Sequence, residues 1–498
     1  MRSAPVLVPI LAVLLVGCKE SAPKPSFDLV FPSVSGDYMS NSSPNLIDLD
    51  GDGALDIVYG TGVDRLRPRG NRWQLGSEPE FAGYVTAVSG KDNRILWRTP
   101  HFGEAFTTPR FVHLNGDQVP DVVMGGRQGS LSAYNGIDGT RLWDTDPKTV
   151  AITPDPYNFL TPAIIEDVNG DAVADLVVMY GGNDTRLPGD ARDAGYVVLV
   201  SGADGKVLKA YPTPDGAESY SSVIVYRRPD GAEWFIFGTG GESAGGAAYR
   251  APVAALLDGS FGERVQTLVP LGEKGVLAPA TLVELTGDDE LDIAISSFDG
   301  RLVVIDGATG NVLWQRHDPT EETYHGPALV RLTTDDRLGF FVSRAIGVFP
   351  NYAGNVHRLF DAKDGRLLYQ YKDPLPPAGA PLAVDLTGDG IDEPIFFGSR
   401  GRIHVLHLRS KKLAIHDVPA NFTATPHIAD PRQSGSLELI GVAWHNLGED
   451  GSGRLAEWKN LKSELLRLDM NARTPDFRTW AAYLGTGTDG LYRPADRD

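Results

Sequence analysis

Cysteine is almost missing from this chain. Cys18 is the only one in 498 residues, so no internal disulfide can staple the fold. Long apolar runs are missing as well: beyond Val16 no segment is apolar enough for long enough to cross a bilayer as a helix. Positive charge is scarce. Lys and Arg number 46 against 65 Asp and Glu, a formal charge of −19. A general nucleic-acid binder carries the opposite, a basic footprint, so no nucleic-acid partner is expected. Catalytic signatures are absent too. There is no Gly-rich phosphate loop, no Gly-x-Ser-x-Gly elbow, no His pair at zinc spacing and no Cys-x-x-Cys-His. The ten His residues are scattered, and the chain is not read as an enzyme. Turn formers, in contrast, are plentiful. The 57 Gly and 35 Pro disfavour a helical bundle and suit many short strands.

The start of the chain reads as a processing signal. Arg2 precedes the apolar run Val6 to Val16, which ends in Leu15-Val16-Gly17-Cys18. A run of about eleven residues is the core of a secretory signal rather than a membrane span. The segment resembles a bacterial lipobox. That resemblance makes residues 1–17 the signal peptide and Cys18 the lipidated first residue of the mature chain, anchored to a membrane only through its lipid. Lys19 replaces the Asp that retains many such lipoproteins at the inner membrane, which points to the outer membrane or cell surface. Residues 18–26 form a short tether.

A repeat fills the rest, residues 27–498. Its copies open at Ser43-Pro44, Thr108-Pro109, Thr161-Pro162, Ser221-Ser222, Ala278-Pro279, Gly326-Pro327, Ala380-Pro381 and Thr425-Pro426. Each continues as an apolar strand, a turn and a second strand; the turn is acidic, as in Asp48-Leu49-Asp50-Gly51-Asp52-Gly53, except in the fourth copy (Tyr226 to Trp234) and the eighth (Asp430 to Glu438), which have lost the pattern. Later in the copy an Asp/Gly turn closes on Leu-Trp, at Trp97, Trp143 and Trp314. Asp/Gly turns between apolar runs are hairpin signals. Four short antiparallel strands per copy, arranged radially, make a β-propeller. The expected fold is all-β, a single and monomeric propeller of eight four-stranded blades, with seven blades or two sheet domains as the alternatives. The acidic turns resemble FG-GAP and VCBS repeats of integrin-type propellers. The Leu-Trp turns resemble the repeats of quinoprotein-like (PQQ-like) propellers. Either the closing segment, residues 471–498, or the early strand Phe27 to Phe31 is expected to close the ring.

Oxygen ligands at alternating positions of a tight turn converge on one centre, and Ca²⁺ takes six to eight of them. The first copy offers Asp48, Asp50, Asp52, the Ala54 carbonyl and Asp56. The third offers Asp167, Asn169, Asp171 and Asp175, the fifth Glu284, Thr286, Asp288 and Asp292, and the seventh Asp385, Thr387, Asp389 and Glu393. Three to four structural calcium sites are expected. His113 displaces the first ligand of the second copy, whose Asn115, Asp117 and Asp121 remain. Arg331 and Arg337 stand in ligand positions of the sixth, where no metal is expected.

The rim opposite the acidic turns carries the long second-to-third connections. These hold Arg65, Arg67, Arg69, Arg72, Trp73, Arg186, Arg192, Tyr249, Arg250, Arg344, Phe349, Tyr352 and His445. Blade-to-blade connections on the same side add His101, Phe102, Tyr157, Phe159, Tyr324 and His325. Arg and aromatic residues on such a face suit a protein hot spot or a glycan. Arg65, Arg67, Arg69, Arg72, Trp73, Tyr249, Arg250 and Tyr352 are the partner-binding candidates, and the expected function is that of a surface binding or scaffold module. The quinoprotein resemblance implies a dehydrogenase, but vicinal cysteines of that family are missing and no PQQ is expected. It also brings in outer-membrane protein assembly, through an eight-bladed quinoprotein-like lipoprotein of that machinery. A carbohydrate-active enzyme is the remaining alternative.

Overall fold

The computed structural model describes residues 25–492 apart from 63–65, 70–71, 76–82, 128, 151–157, 183–189, 350, 376–377, 419, 446–461 and 476–478. Eight antiparallel sheets radiate from one axis. Blade 1 is built from strands Asn45–Ile47, Asp56–Gly62, Gly83–Val88 and Ile95–His101, and the next six blades repeat that order of four. In blade 6 the middle strands lengthen to Leu338–Val348 and Asn351–Asp361. Among the described residues helix is confined to short turns such as Ala254–Asp258 and Phe261–Arg264, which replace the third-to-fourth turn of blade 4.

Burial falls outward along each blade. The second strand Asp56–Gly62 is buried at every residue, because it is covered by a neighbouring blade on both faces. Such strands read as near-continuous apolar runs. The fourth strand Val312–His317 buries only Trp314. The core therefore lies between blades. One cluster joins Val112, Val123 and Trp143 of blade 2 to Leu176, Val178 and Val198 of blade 3.

Both sequence motifs prove to be staples between neighbours. Trp97 Nε1 donates to the Gly136 carbonyl of the next blade, Trp143 Nε1 to that of Gly202 and Trp314 Nε1 to that of Ala362, each at 2.8 Å. The indole lies on the glycine of the neighbouring turn. A Cβ on Gly205 would sit 2.5 Å from Trp143 Cε3, and Gly205 has φ +71. The Ser/Thr-Pro openings staple the inner edge. Ala380 N donates to Thr425 Oγ1 at 2.9 Å, Thr425 N to Ser43 Oγ at 3.1 Å, and Thr108 N to Thr161 Oγ1 at 3.4 Å. Each hydroxyl accepts from the blade before it, and the following Pro has no N–H to leave unpaired.

Of the two candidates for closing the ring, the early strand does so. Asp28–Leu29 and Val34–Asp37 pair with Lys462–Arg473, the third strand of blade 8. The C-terminal segment does something else: it crosses the axis as a plug. Ala383 and Trp480 exchange backbone bonds of 2.8 and 2.9 Å, Ile428 N donates to the Ala481 carbonyl at 2.8 Å, and Leu282 N donates to that of Gly490 at 2.9 Å. It thereby pairs backbone on the inner strands of blades 5, 7 and 8 that would otherwise stay unsatisfied.

Candidate functional site

The acidic turns connect first and second strands and share one rim. Their last acid is a structural pin. Asp56 accepts from Leu49 N at 2.8 Å and Gly90 N at 2.9 Å, Asp175 from Val168 N at 2.8 Å and Gly202 N at 3.1 Å, and Asp292 from Leu285 N at 2.8 Å and Gly307 N at 3.0 Å. Asp121 repeats this with Leu114 and Gly136. Each carboxylate ties two turns of its own blade together. Burial pushes all four carboxyls above the ordinary aspartate range.

The earlier acids also cap backbone N–H groups. Asp48 accepts from Gly51 at 2.8 Å and Gly53 at 3.0 Å, Asp167 from Gly170 at 2.7 Å and Ala172 at 2.8 Å, and Asp385 from Gly388 and Gly390, both at 2.7 Å. Asn169 and Asp171 continue the pattern of the third turn. Glu284 accepts from Gly287 N, and Asp288 from Glu290 N. Among the described residues, only the first turn gathers three acidic ligand atoms, from Asp48, Asp50 and Asp56, within 4.8 Å of one another. This donor set of hard oxygens around curled glycines fits Ca²⁺. Arg94 Nη2 lies 2.8 Å from Asp50 and Lys91 Nζ 3.5 Å from Asp52, so part of that charge already has a protein counter-ion.

The opposite rim carries a cavity of 430 Å³, a funnel on the propeller axis floored by Tyr483 of the plug. The blade-to-blade connections supply its walls: Asn41, Phe106, Tyr220, Tyr324 and Thr423 stand at equivalent positions, and Leu160 and Leu277 one position later. Glu104, Glu218 and Glu322 stand two residues before the three aromatic members of that ring. All three carboxylates are buried and bound to a cation. Arg127 Nε is 2.9 Å from Glu104, Arg192 Nη1 is 3.5 Å from Glu218, and Lys274 Nζ pairs with Glu322. Burial, reinforced by the nearby Glu242 charge and opposed by Arg192, pushes the Glu218 carboxyl up to about 7. His325 lines the wall as a neutral ring, its pKa lowered to about 4 by burial. Beside the funnel, sharing Tyr324, His325 and Thr423, a side pocket of 390 Å³ is lined by Glu322, Ser343, Tyr352 and Phe422.

The structure sorts the predicted partner-binding residues. Arg192, Phe349, Tyr324 and His325 line the funnel, and Tyr352 lines the side pocket with its hydroxyl 2.8 Å from Glu322 Oε2. Tyr249 and Arg250 do not belong to this surface. Both are buried in the third strand of blade 4. Arg250 Nη1 donates to the Gly307 carbonyl of blade 5 at 2.6 Å, and Tyr249 packs on Phe237. Arg344 is likewise structural, 2% exposed and bonded to the Gly300 carbonyl. His101 is buried against the Tyr134 hydroxyl at 2.7 Å, and Phe159 is core. Arg67, Arg69, Arg72 and Trp73 stand on a two-stranded hairpin, with Pro68 opposite Trp73 and Arg69 opposite Arg72. Arg65, Cys18, Tyr157 and Arg186 lie outside the described residues. The sequence reading passed over Phe106, Tyr220 and Glu242. Phe106 and Tyr220 share a position two residues after a Glu, which shows only once the connections are aligned blade on blade; Glu242 carries no such signal.

No family model and no curated protein matches the chain. Solved structures do. A europium-containing methanol dehydrogenase aligns at 10% identity over 89% of this chain and 93% of its own, with a TM-score of 0.56. The quinohemoprotein alcohol dehydrogenase from Comamonas testosteroni aligns at 10% identity over 90% and 76%, with a TM-score of 0.54. BamB from Moraxella catarrhalis aligns at 12% identity over 82% and 96%, with a TM-score of 0.46. The likeness is one of fold.

Proposed function

We propose that this chain is a calcium-stabilised, lipid-anchored propeller of the cell envelope that receives a protein or glycan partner at its funnel. The observation that carries this reading is the convergence of Phe106, Tyr220, Tyr324, Phe349, Arg127 and Arg192 from several blades and their connections on one axial cavity that Tyr483 also lines. Concave sites with a few converging polar groups are where ligands bind on rigid folds. Calcium is supported by the donor set of the first acidic turn, and the anchor by Leu15-Val16-Gly17-Cys18. The chain enters the ring on the acidic-turn rim, where Asp28 pairs with Asp469 near the first-to-second turn of blade 8. A tether of residues 18–26, at most about 30 Å when extended, then leaves the funnel facing away from the membrane.

Crosslinking in native membranes, followed by co-purification in calcium and in EDTA, tests the reading. A stoichiometric protein or glycan partner supports it, and a barrel-assembly partner would specify the assembly role. Recovery of the chain alone in both conditions contradicts it. Glu218 favours a second reading, a carbohydrate-active enzyme, because a carboxyl held half-protonated near neutrality suits a general acid. Release of product from uronic-acid polymers would establish that activity.

A further inference from the structure

Resting on the funnel as the binding site, we infer that its occupant presents an organic cation, an ammonium or guanidinium group, to Glu242 and the rings around it. The charges at the mouth lead to this. The two guanidinium groups that line it and the neighbouring Lys274 are already matched: Arg127 faces Glu104, Arg192 faces Glu218, and Lys274 faces Glu322. The carboxylates in these pairs have side-chain exposures of 0%, 3% and 3%. An incoming anion would have to compete with carboxylates that cannot leave. Glu242 is different. It is half-buried in the funnel wall and accepts a hydrogen bond from the Tyr324 hydroxyl, 3.4 Å from Oε1. No Lys, Arg or His of the described residues forms an ion pair with it. Its charge is felt across the wall, raising the Glu218 carboxyl and the Tyr324 and Tyr352 phenols together with their burial.

The surroundings of Glu242 suit a cation. Tyr220, Tyr324 and Phe349 reach the funnel from three different connections. Tyr324 is 38% exposed although it is large and aromatic, held edge-on by Phe298 at 4.8 Å. Rings beside a carboxylate attract cations through their negative faces, and the attraction grows as water is excluded. One chemistry covers two sources: a free small amine, or a Lys or Arg side chain presented by a protein partner.

The test is calorimetric titration of the full mature chain at fixed ionic strength with four probes: tetramethylammonium, a trilysine peptide, neutral maltotriose and citrate. Saturable binding of a cationic probe, weakened roughly tenfold by Glu242→Gln through loss of one charged contact, supports the inference. Tyr324→Ala should weaken it, whereas Tyr324→Phe, which keeps the ring face, should not. Tetramethylammonium binding indicates a free amine, and trilysine binding alone indicates a protein side chain. If maltotriose or citrate binds instead and Phe349→Ala weakens it, the funnel remains the site and the cation inference falls. If cations bind equally well to Glu242→Gln, or no cation binds at millimolar concentration, the inference falls too. Unchanged melting of the variants confirms that they are folded.

Discussion

Removal of the Trp143 indole tests whether the blades are held by the Leu-Trp staples. Trp143 is 8% exposed, its Nε1 bonds the Gly202 carbonyl at 2.8 Å, and its ring covers Gly205. Trp143→Ala creates a cavity and strands a buried carbonyl, at a cost of about 4 kcal/mol. Unfolding entropy near 2.1 cal/mol/K per residue gives roughly 1 kcal/mol/K for a chain of this length. The expected fall in Tm is therefore about 4 °C, small enough to need calorimetry. Gly205→Ala is the sharper probe. Its Cβ would meet Trp143 at 2.5 Å on a backbone with φ +71. In the native background it pays for the clash and the left-handed backbone. In a Trp143→Ala background only the backbone strain, about 1 kcal/mol, remains. The cycle should show a coupling above about 1 kcal/mol. Effects that add within about 0.5 kcal/mol, as for independent sites, would refute the staple.

Two further predictions follow from the charged groups. EDTA should lower the Tm, since an ion bound only to the folded state stabilises it by about 2.7 kcal/mol at a hundredfold excess over Kd. Asp50→Ala with Asp52→Ala should remove the first turn's share, and a Tm indifferent to EDTA would exclude the structural ion. Glu218, raised from 4.5 to about 7 chiefly by burial, binds its proton more tightly folded than unfolded. Its contribution is therefore greatest below about pH 4.5 and is lost as pH rises to about 7, by up to about 3 kcal/mol. Glu218→Gln should flatten that part of the stability profile, and an unchanged slope would show that the carboxyl is already ionised in the folded chain.

The repeat was legible because propeller staples are local in sequence. Ser/Thr-Pro, Asp/Gly and Leu-Trp each mark the same place in the blades that carry them, and their bonds to the next blade follow from the symmetry. The acidic turns were legible as a pattern but not as chemistry. The same carboxylates that could ligate an ion also cap backbone N–H groups, and Asp56 and Asp175 do so in turns of the same spelling. Arg250 and Arg344 looked like surface cations because the carbonyls that hold them, Gly307 and Gly300, belong to the next or preceding blade and lie more than forty residues away. The plug was harder still. Its bonds to blades 5, 7 and 8 are backbone to backbone, which side-chain pattern does not encode. The funnel is an alignment across connections, visible only when Phe106, Tyr220 and Tyr324 are seen to share one position.

A photo-crosslinking residue placed at Phe349, on the funnel mouth, and separately at exposed Asp138, on the acidic-turn rim, would test the central claim most directly in intact cells. A partner seated in the funnel gives capture of one defined species from position 349 and none from 138. Capture from 138 with none from 349 would contradict that claim and move the binding face to the acidic turns.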